Sequence, residues 1–244
     1  MASGVTMDGP SDESLPPSSP GDHFLSILSH ELRTPLQAMA GWLTVLRQHR
    51  TNPPMVDRAA EALEQSLAAQ VQIVEDLIEA SRIVAGAPAL AREPVEVRAA
   101  VTAWAEALRP AAESAGVALT VHGSIIPVWI SADRDGLGQI ARHLIRNAIK
   151  FTPRDGRVDV HVARIDGDCE VTVCDTGEGI AAEALPLIFD RFTQADSTIT
   201  RGHGGLGLGL AIVKHVAEAH RGAVQADSAG EGQGATFRVR LPLI

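Results

Sequence analysis

Between residues 22 and 84, apolar side chains recur at spacings of three and four, and only RTNPP at 50–54 interrupts them. In the first stretch, Asp22 to about His49, the series is Leu25, Leu28, Leu32, Pro35, Met39, Trp42 and Leu46, widened by Leu36 and Leu43. In the second, about Val56 to Val84, it is Val56, Ala60, Leu63, Leu67, Gln70, Val74, Leu77 and Ser81, with Val71 and Ile78 beside it. That spacing is a heptad seam on a helix. Two long helices joined by a tight turn make an antiparallel hairpin, and each carries an apolar stripe too wide for the other to cover. The expected solution is a dimeric four-helix bundle built from two copies of the chain.

The rest of the chain has a different grammar. Residues 1–21 are rich in Ser, Pro, Gly and acids and read as a disordered tail or linker. The hairpin domain occupies 22–85, and small residues and prolines mark 86–94 as a linker. From 95 to 244, helices are expected at 97–114, 133–150 and 206–220. Strands are expected at 117–123, 127–131, 157–165, 169–175, 223–227 and 235–241. RVDVHVARI and CEVTVCD alternate in hydrophobicity about a DGD turn, the pattern of a β-hairpin. The mixture predicts a two-layer α/β sandwich, with the weakly periodic 176–204 as a loop or lid.

Composition narrows the function classes. The formal net charge of −9 argues against a nucleic-acid surface. No apolar run approaches membrane-spanning length and no signal peptide opens the chain, so neither membrane insertion nor export is expected, and a cytoplasmic location is. Cys169 and Cys174 lie five apart in one alternating segment, on opposite faces of a strand, and read as buried or incidental thiols. There are two lysines, Lys150 and Lys214, so nineteen of the 21 basic residues are arginine. Lys150 therefore stands out.

Two kinds of motif carry chemistry. Residues 28–36 read LSHELRTPL, placing an imidazole, an acid and a helix breaker within about one and a half turns. If Leu25 is heptad position a, His30 falls at f and faces away from the seam. The glycine clusters DTGEGI (175–180), GHGGLGLGL (202–210) and GEGQGATF (230–237) are weak signals singly. The second, however, runs straight into an apolar helix, where backbone N–H groups can face an anion. It is not a P-loop, because GxxxxGK[ST] occurs nowhere.

Together RHLIRNAIKFTP (142–153), DTGEGI, FDRF (189–192) and GGLGLGL resemble the N, G1, F and G2 boxes of sensor histidine kinases, and SHELRTP resembles their phosphoacceptor box. The resemblance implies the ATP-binding fold shared with gyrase-type topoisomerases, chaperones and mismatch-repair ATPases. It implies ATP and Mg²⁺ as cofactors, with Asn147 as the metal ligand and Lys150 neutralising phosphate. Asp175 is the implied acceptor for the adenine amino group, with Gly177 and Gly179 letting backbone pass close to the base. Gly205, Leu206, Gly207 and Gly209 match the lid hinge and phosphate-side turn, Phe189 and Phe192 the aromatic box under the lid, and Gly232 and Gly234 a third, structural box.

On the helical side, His30 is the implied phosphoacceptor, since a neutral imidazole with a pKa of about 6.5 is a competent nucleophile. Glu31 is its acid–base partner, Thr34 the residue that orients water during dephosphorylation of a partner, and Pro35 a bend in the helix. Arg33 reads as a surface charge as readily as a phosphate contact. The implied reaction is ATP-dependent autophosphorylation of a homodimer, then transfer to an aspartate of a response regulator receiver domain supplied in trans.

One position departs from the pattern. The family usually has asparagine four residues before Asn147, where this chain has His143. Its imidazole is expected either to touch Mg²⁺-bound water or to form the pocket wall. A dimeric pseudokinase that signals by docking, and an ATPase of the chaperone or topoisomerase kind, are the competing readings.

Overall fold

The computed structural model describes residues 20–84, 90–123, 126–191 and 206–244. Helix α1 (Pro20–Gln48) runs unbroken through Pro35, which is buried. It packs along α2 (Pro53–Val84) after a turn in which Met55 N donates to the side chain of Asn52.

The seam on α2 divides in two. Ala59 and Ile73 are buried and Leu63 and Leu77 partly so, facing α1 and the rest of the chain. Leu67, Val71, Val74 and Ile78 remain 44–56% exposed, as do Leu25, Leu36 and Leu43 of α1 at 45–58%. This is the apolar face wider than its partner helix can cover that the spacing predicts: α1 covers one side of it and leaves the other outward. Positions 59, 66, 73 and 80 turn inward with Leu63 and Leu77, while Leu67 and Val74 of the series turn outward beside Val71 and Ile78. A 3.5-residue repeat of small and large apolar residues fits two adjacent faces equally well, and only packing separates them.

The second region begins earlier than the composition indicates. β1 (Arg92–Glu96) includes the last three residues of the expected linker and pairs antiparallel with β3 (Trp129–Asp133). Its alternation is too short, and too charged, to read as a strand from sequence. Glu96 then caps α3 (Val97–Ala115): its carboxylate accepts from Arg98 N at 3.2 Å and Ala99 N at 2.7 Å. Gly116, left-handed at φ 72°, ends that helix.

Five strands make the main sheet in the order β2-β4-β5-β7-β6, with β2 (Ala118–Gly123), β4 (Arg157–Ile165), β5 (Asp168–Asp175), β6 (Ala223–Asp227) and β7 (Thr236–Pro242). β2 and β4 are parallel; the other pairs are antiparallel. The DGD turn joins β4 to β5 as the sequence predicts, with Asp166 and Gly167 both at positive φ. Helices α3, α4 (Arg134–Phe151) and α5 (Gly209–Ala219) form the second layer. Val158, Val160, Val162, Val171, Val173, Phe237, Val239 and Leu241 fill the space between them and Leu144, Ile145, Ile212 and Val213 of the helices. Each such side chain contributes about 1.5–3 kcal/mol by leaving water.

A buried histidine joins two helix ends within the second layer. His220 donates from Nδ1 to Val216 O (2.7 Å) and accepts on Nε2 from Asp133 N (3.0 Å), so one neutral tautomer satisfies the end of α5 and the start of α4 at once.

The hairpin is not detached from this sandwich. Ile73 belongs to the common apolar core, and Ile27, Leu28, Leu32, Leu77 and Ala80 pack against it.

Candidate active site

His30 projects from α1 with its side chain 78% exposed, as its heptad position requires. Its Nδ1 faces Glu31 Oε1 at 3.5 Å, the outer limit of a hydrogen bond. Glu31 itself is largely covered, at 17%. The Thr34 hydroxyl is turned inward and donates to the His30 carbonyl one turn back at 3.0 Å.

A second group of predicted residues collects between the sheet and α4. Asp175 ends β5 and continues the inward-facing series Cys169, Val171 and Val173, so strand periodicity aims its carboxylate into the space between the layers. Burial pushes its pKa up, opposed by hydrogen bonds from Gly177 N (2.9 Å) and Ala235 N (3.1 Å). Both bonds end on Oδ1, and Oδ2 takes neither. The same alternation puts Cys169 in the core, where burial raises its thiol to about 12, an inert group.

Gly177 and Gly179 have a structural reason beyond any ligand. A Cβ on Gly177 would collide with the Phe151 carbonyl, and one on Gly179 (φ 71°) with the carbonyl of Gly230. The first and third glycine clusters are laced together by Gly232 N to Glu178 O (2.6 Å) and Gly234 N to Gly177 O (3.1 Å). Ser228, which sequence reasoning passed over, holds the same junction by accepting from Ile180 N (3.0 Å) and donating to Gly234 O (2.7 Å).

The last turn and a half of α4 carries Asn147, partly buried, and Lys150. Burial lowers the Lys150 pKa, and Glu31, Asp76 and Glu178 pull it back up, so this ammonium lies within the field of acids from both helices of the hairpin. It rests 4.6 Å from the Phe151 ring centroid. Opposite, Leu206 and Leu208 are buried anchors and Gly207 takes φ 65° where the chain enters α5. Leu208 at the N-cap offers no side-chain hydrogen bond, so the first-turn N–H groups of α5 suit an anion. Gly205 and Phe192 lie outside the described residues; Phe189 packs edge-on to Phe237, centroids 6.4 Å apart.

His143 has a partner the sequence did not indicate. It is 8% exposed, and its Nε2 lies 2.9 Å from Glu79 Oε2 of α2. Its Nδ1 faces Gly209, where an added Cβ would stand 3.0 Å away. This glycine, whose φ is not left-handed, serves close packing of α5 on α4.

Comparison with known proteins follows the same two regions. Residues 22–86 match the His Kinase A (phospho-acceptor) domain, and 132–244 the histidine kinase-, DNA gyrase B- and HSP90-like ATPase family. The chain is 39% identical over 90% of its length to an uncharacterized sensor-like histidine kinase of Rhizobium meliloti, and 38% identical over 91% to histidine protein kinase DivJ of Caulobacter vibrioides. The solved structure of the mycobacterial sensor histidine kinase MprB is 31% identical, with a TM-score of 0.55, covering 62% of this chain and 97% of that one. The chain belongs to the sensor histidine kinases.

This histidine kinase spans 42% and 37% of the lengths of those two curated relatives. Full-length ShkA in complex with AMPPNP superposes on it with a TM-score of 0.63 at 32% identity, over 91% of this chain and 46% of that one. Two acids of the kinase, Asp76 and Glu79, escaped the sequence reading altogether. They are three apart on one face of α2, a spacing that marks shared orientation but not what they face. No helix among the described residues is long and apolar enough to cross a membrane.

Proposed function

We propose that this chain catalyses its own ATP-dependent phosphorylation on His30 as a homodimer, and passes the phosphoryl group to an aspartate of a separate response regulator receiver domain. The observation that carries the reading is the His30 side chain itself. It is exposed, its Nδ1 is turned to a carboxylate, and it stands in one chain with a buried aspartate, an asparagine–lysine helix end and a helix N-terminus whose N-cap leucine makes no side-chain hydrogen bond.

Each group has a place in the chemistry. Asp175 accepts the adenine amino N–H on Oδ2 while Oδ1 stays on backbone. Lys150 and the first turn of α5 oppose phosphate charge. The Asn147 amide oxygen, a hard neutral donor, is the ligand for Mg²⁺, which when bound offsets the charge of the phosphates. With its proton on Nδ1 toward Glu31, the imidazole attacks the γ-phosphorus through Nε2. A P–N bond forms, the bond to the β–γ bridging oxygen breaks, ADP leaves, and the Nδ1 proton passes to Glu31. The receiver aspartate then takes the phosphoryl group from Nε2. Dephosphorylation of the receiver would need the Thr34 hydroxyl to leave the His30 carbonyl and orient water.

The test is incubation with γ-labelled ATP and Mg²⁺, wild type beside His30→Gln. Label that survives base, is lost in acid and is absent from the variant is expected. Nucleotide binding without label would instead support the docking pseudokinase.

A further inference from the structure

Asp76, Glu79 and His143 bring three metal-ligating side chains together across the contact between hairpin and sandwich, with one ligand atom of each within 4.8 Å of the others. The i, i+3 spacing puts both carboxylates on one face of α2, and α4 presents the imidazole to them. His143 is buried and the Glu79 side chain only 15% exposed. Nδ1 of the imidazole lies against Gly209, so Nε2 is the nitrogen offered to the acids. Gln72 Nε2 donates to Asp76 Oδ1 at 2.5 Å and holds that carboxylate in place, as an outer-shell partner does.

The carboxylates are also close enough to act on each other. Burial and Glu79 raise the Asp76 pKa, while His143, Gln72 and Arg146 act the other way. Two shielded carboxylates and one imidazole nitrogen converging on one point make the donor set of a dication site. We infer that Asp76, Glu79 and His143 form an interdomain site for a divalent transition ion of the Zn²⁺ class, which ties α2 of the hairpin to α4 of the ATP-binding region.

The donor set selects the ion. An imidazole with two carboxylates suits Zn²⁺ or Co²⁺, whereas Mg²⁺ prefers all-oxygen shells and its own waters. Bonds of about 2.0–2.2 Å place ligands of one ion some 3–4 Å apart, so separations within 4.8 Å must close by no more than about 1–2 Å. Side-chain rotation supplies that, with water in the fourth position. His143 stands one turn before Asn147 on α4, so the site is tested with Mg²⁺ in excess; the inference does not depend on the kinase reaction proposed above.

The test is titration of the nucleotide-free protein with Co²⁺ in excess Mg²⁺, followed by visible absorption and calorimetry. Wild type is compared with Glu79→Gln, Asp76→Asn and His143→Asn, and with His122→Gln as a control at a surface histidine. Wild type and His122→Gln should bind Co²⁺ alike, displaceable by Zn²⁺, and the other three should bind at least tenfold more weakly. Zn²⁺ should also raise the melting temperature of wild type but not of Glu79→Gln. If His143→Asn fails to fold, the two near-isosteric carboxylate variants decide. Co²⁺ binding unchanged in Glu79→Gln and Asp76→Asn, or no binding by wild type in Mg²⁺, overturns the inference.

Discussion

Asp175 shows what one buried carboxylate costs and why it is kept. Its pKa is raised by burial, so the proton binds more tightly in the folded chain than in the unfolded one. The protonated form thus lends stability below the unfolded value of about 3.9, and that contribution is lost as pH rises through the higher folded value. Recognition of an adenine amino group needs the opposite, ionised form. ATP affinity should therefore fall as pH is lowered into that raised range, a loss isothermal titration can follow. Asp175→Asn keeps an acceptor for Gly177 N and Ala235 N but turns an amide donor toward the adenine. We expect melting temperature to hold or rise while ATP affinity drops at least tenfold. Parallel loss of both would mean that Asp175 is chiefly structural.

At the scale of elements, the glycine clusters behave as joints between loops. Gly167 and Gly179 both adopt positive φ, but only Gly179 has a neighbour, the Gly230 carbonyl, in the space a Cβ would fill. Gly167→Ala should cost about 1–2 kcal/mol, the left-handed penalty alone. Gly179→Ala carries that plus an overlap, and should lower stability by about 2 kcal/mol more, with the Phe151–Glu178 and Glu178–Gly232 hydrogen bonds strained. Urea unfolding of the two variants makes the comparison, and equal midpoints would deny the close approach any energetic role. The glycines were legible as special residues because few other roles explain their density. Their partners were not, because Phe151 lies 26 residues before Gly177 and Gly230 lies 51 after Gly179, and no local pattern reports such contacts.

For the whole molecule, the decisive feature is the unspent apolar surface of the hairpin. Leu67, Val71, Val74 and Ile78 lie half exposed along α2, with Leu25, Leu36 and Leu43 on α1. Exposed apolar rows of that kind suit association, and under the proposed homodimer a second copy would offer the matching rows by symmetry. Val71→Asp with Ile78→Asp should convert a dimer to monomers in sedimentation velocity, since each buried charge costs several kcal/mol. Both positions avoid the inward stripe, so the far-UV helical signal of the sandwich should persist. A variant that stays dimeric would place the interface elsewhere.

Periodicity by itself determined the two helices, the hairpin between β4 and β5, the two-layer second region and the exposed face that carries His30. These depend on repeats of 3.5 and 2 residues within one element, which a chain displays before it folds. Tertiary structure alone decided which side of α2 turns inward, that Arg92–Glu96 is a strand, and that His220 joins the ends of α5 and α4 through one tautomer. It also decided where His143 points. A histidine on an amphipathic helix can be read as covered or exposed from its neighbours in sequence, but its partner, Glu79, is 64 residues away. That contact exists only because the hairpin docks on the sandwich, and docking is a property of two surfaces that no single helix encodes.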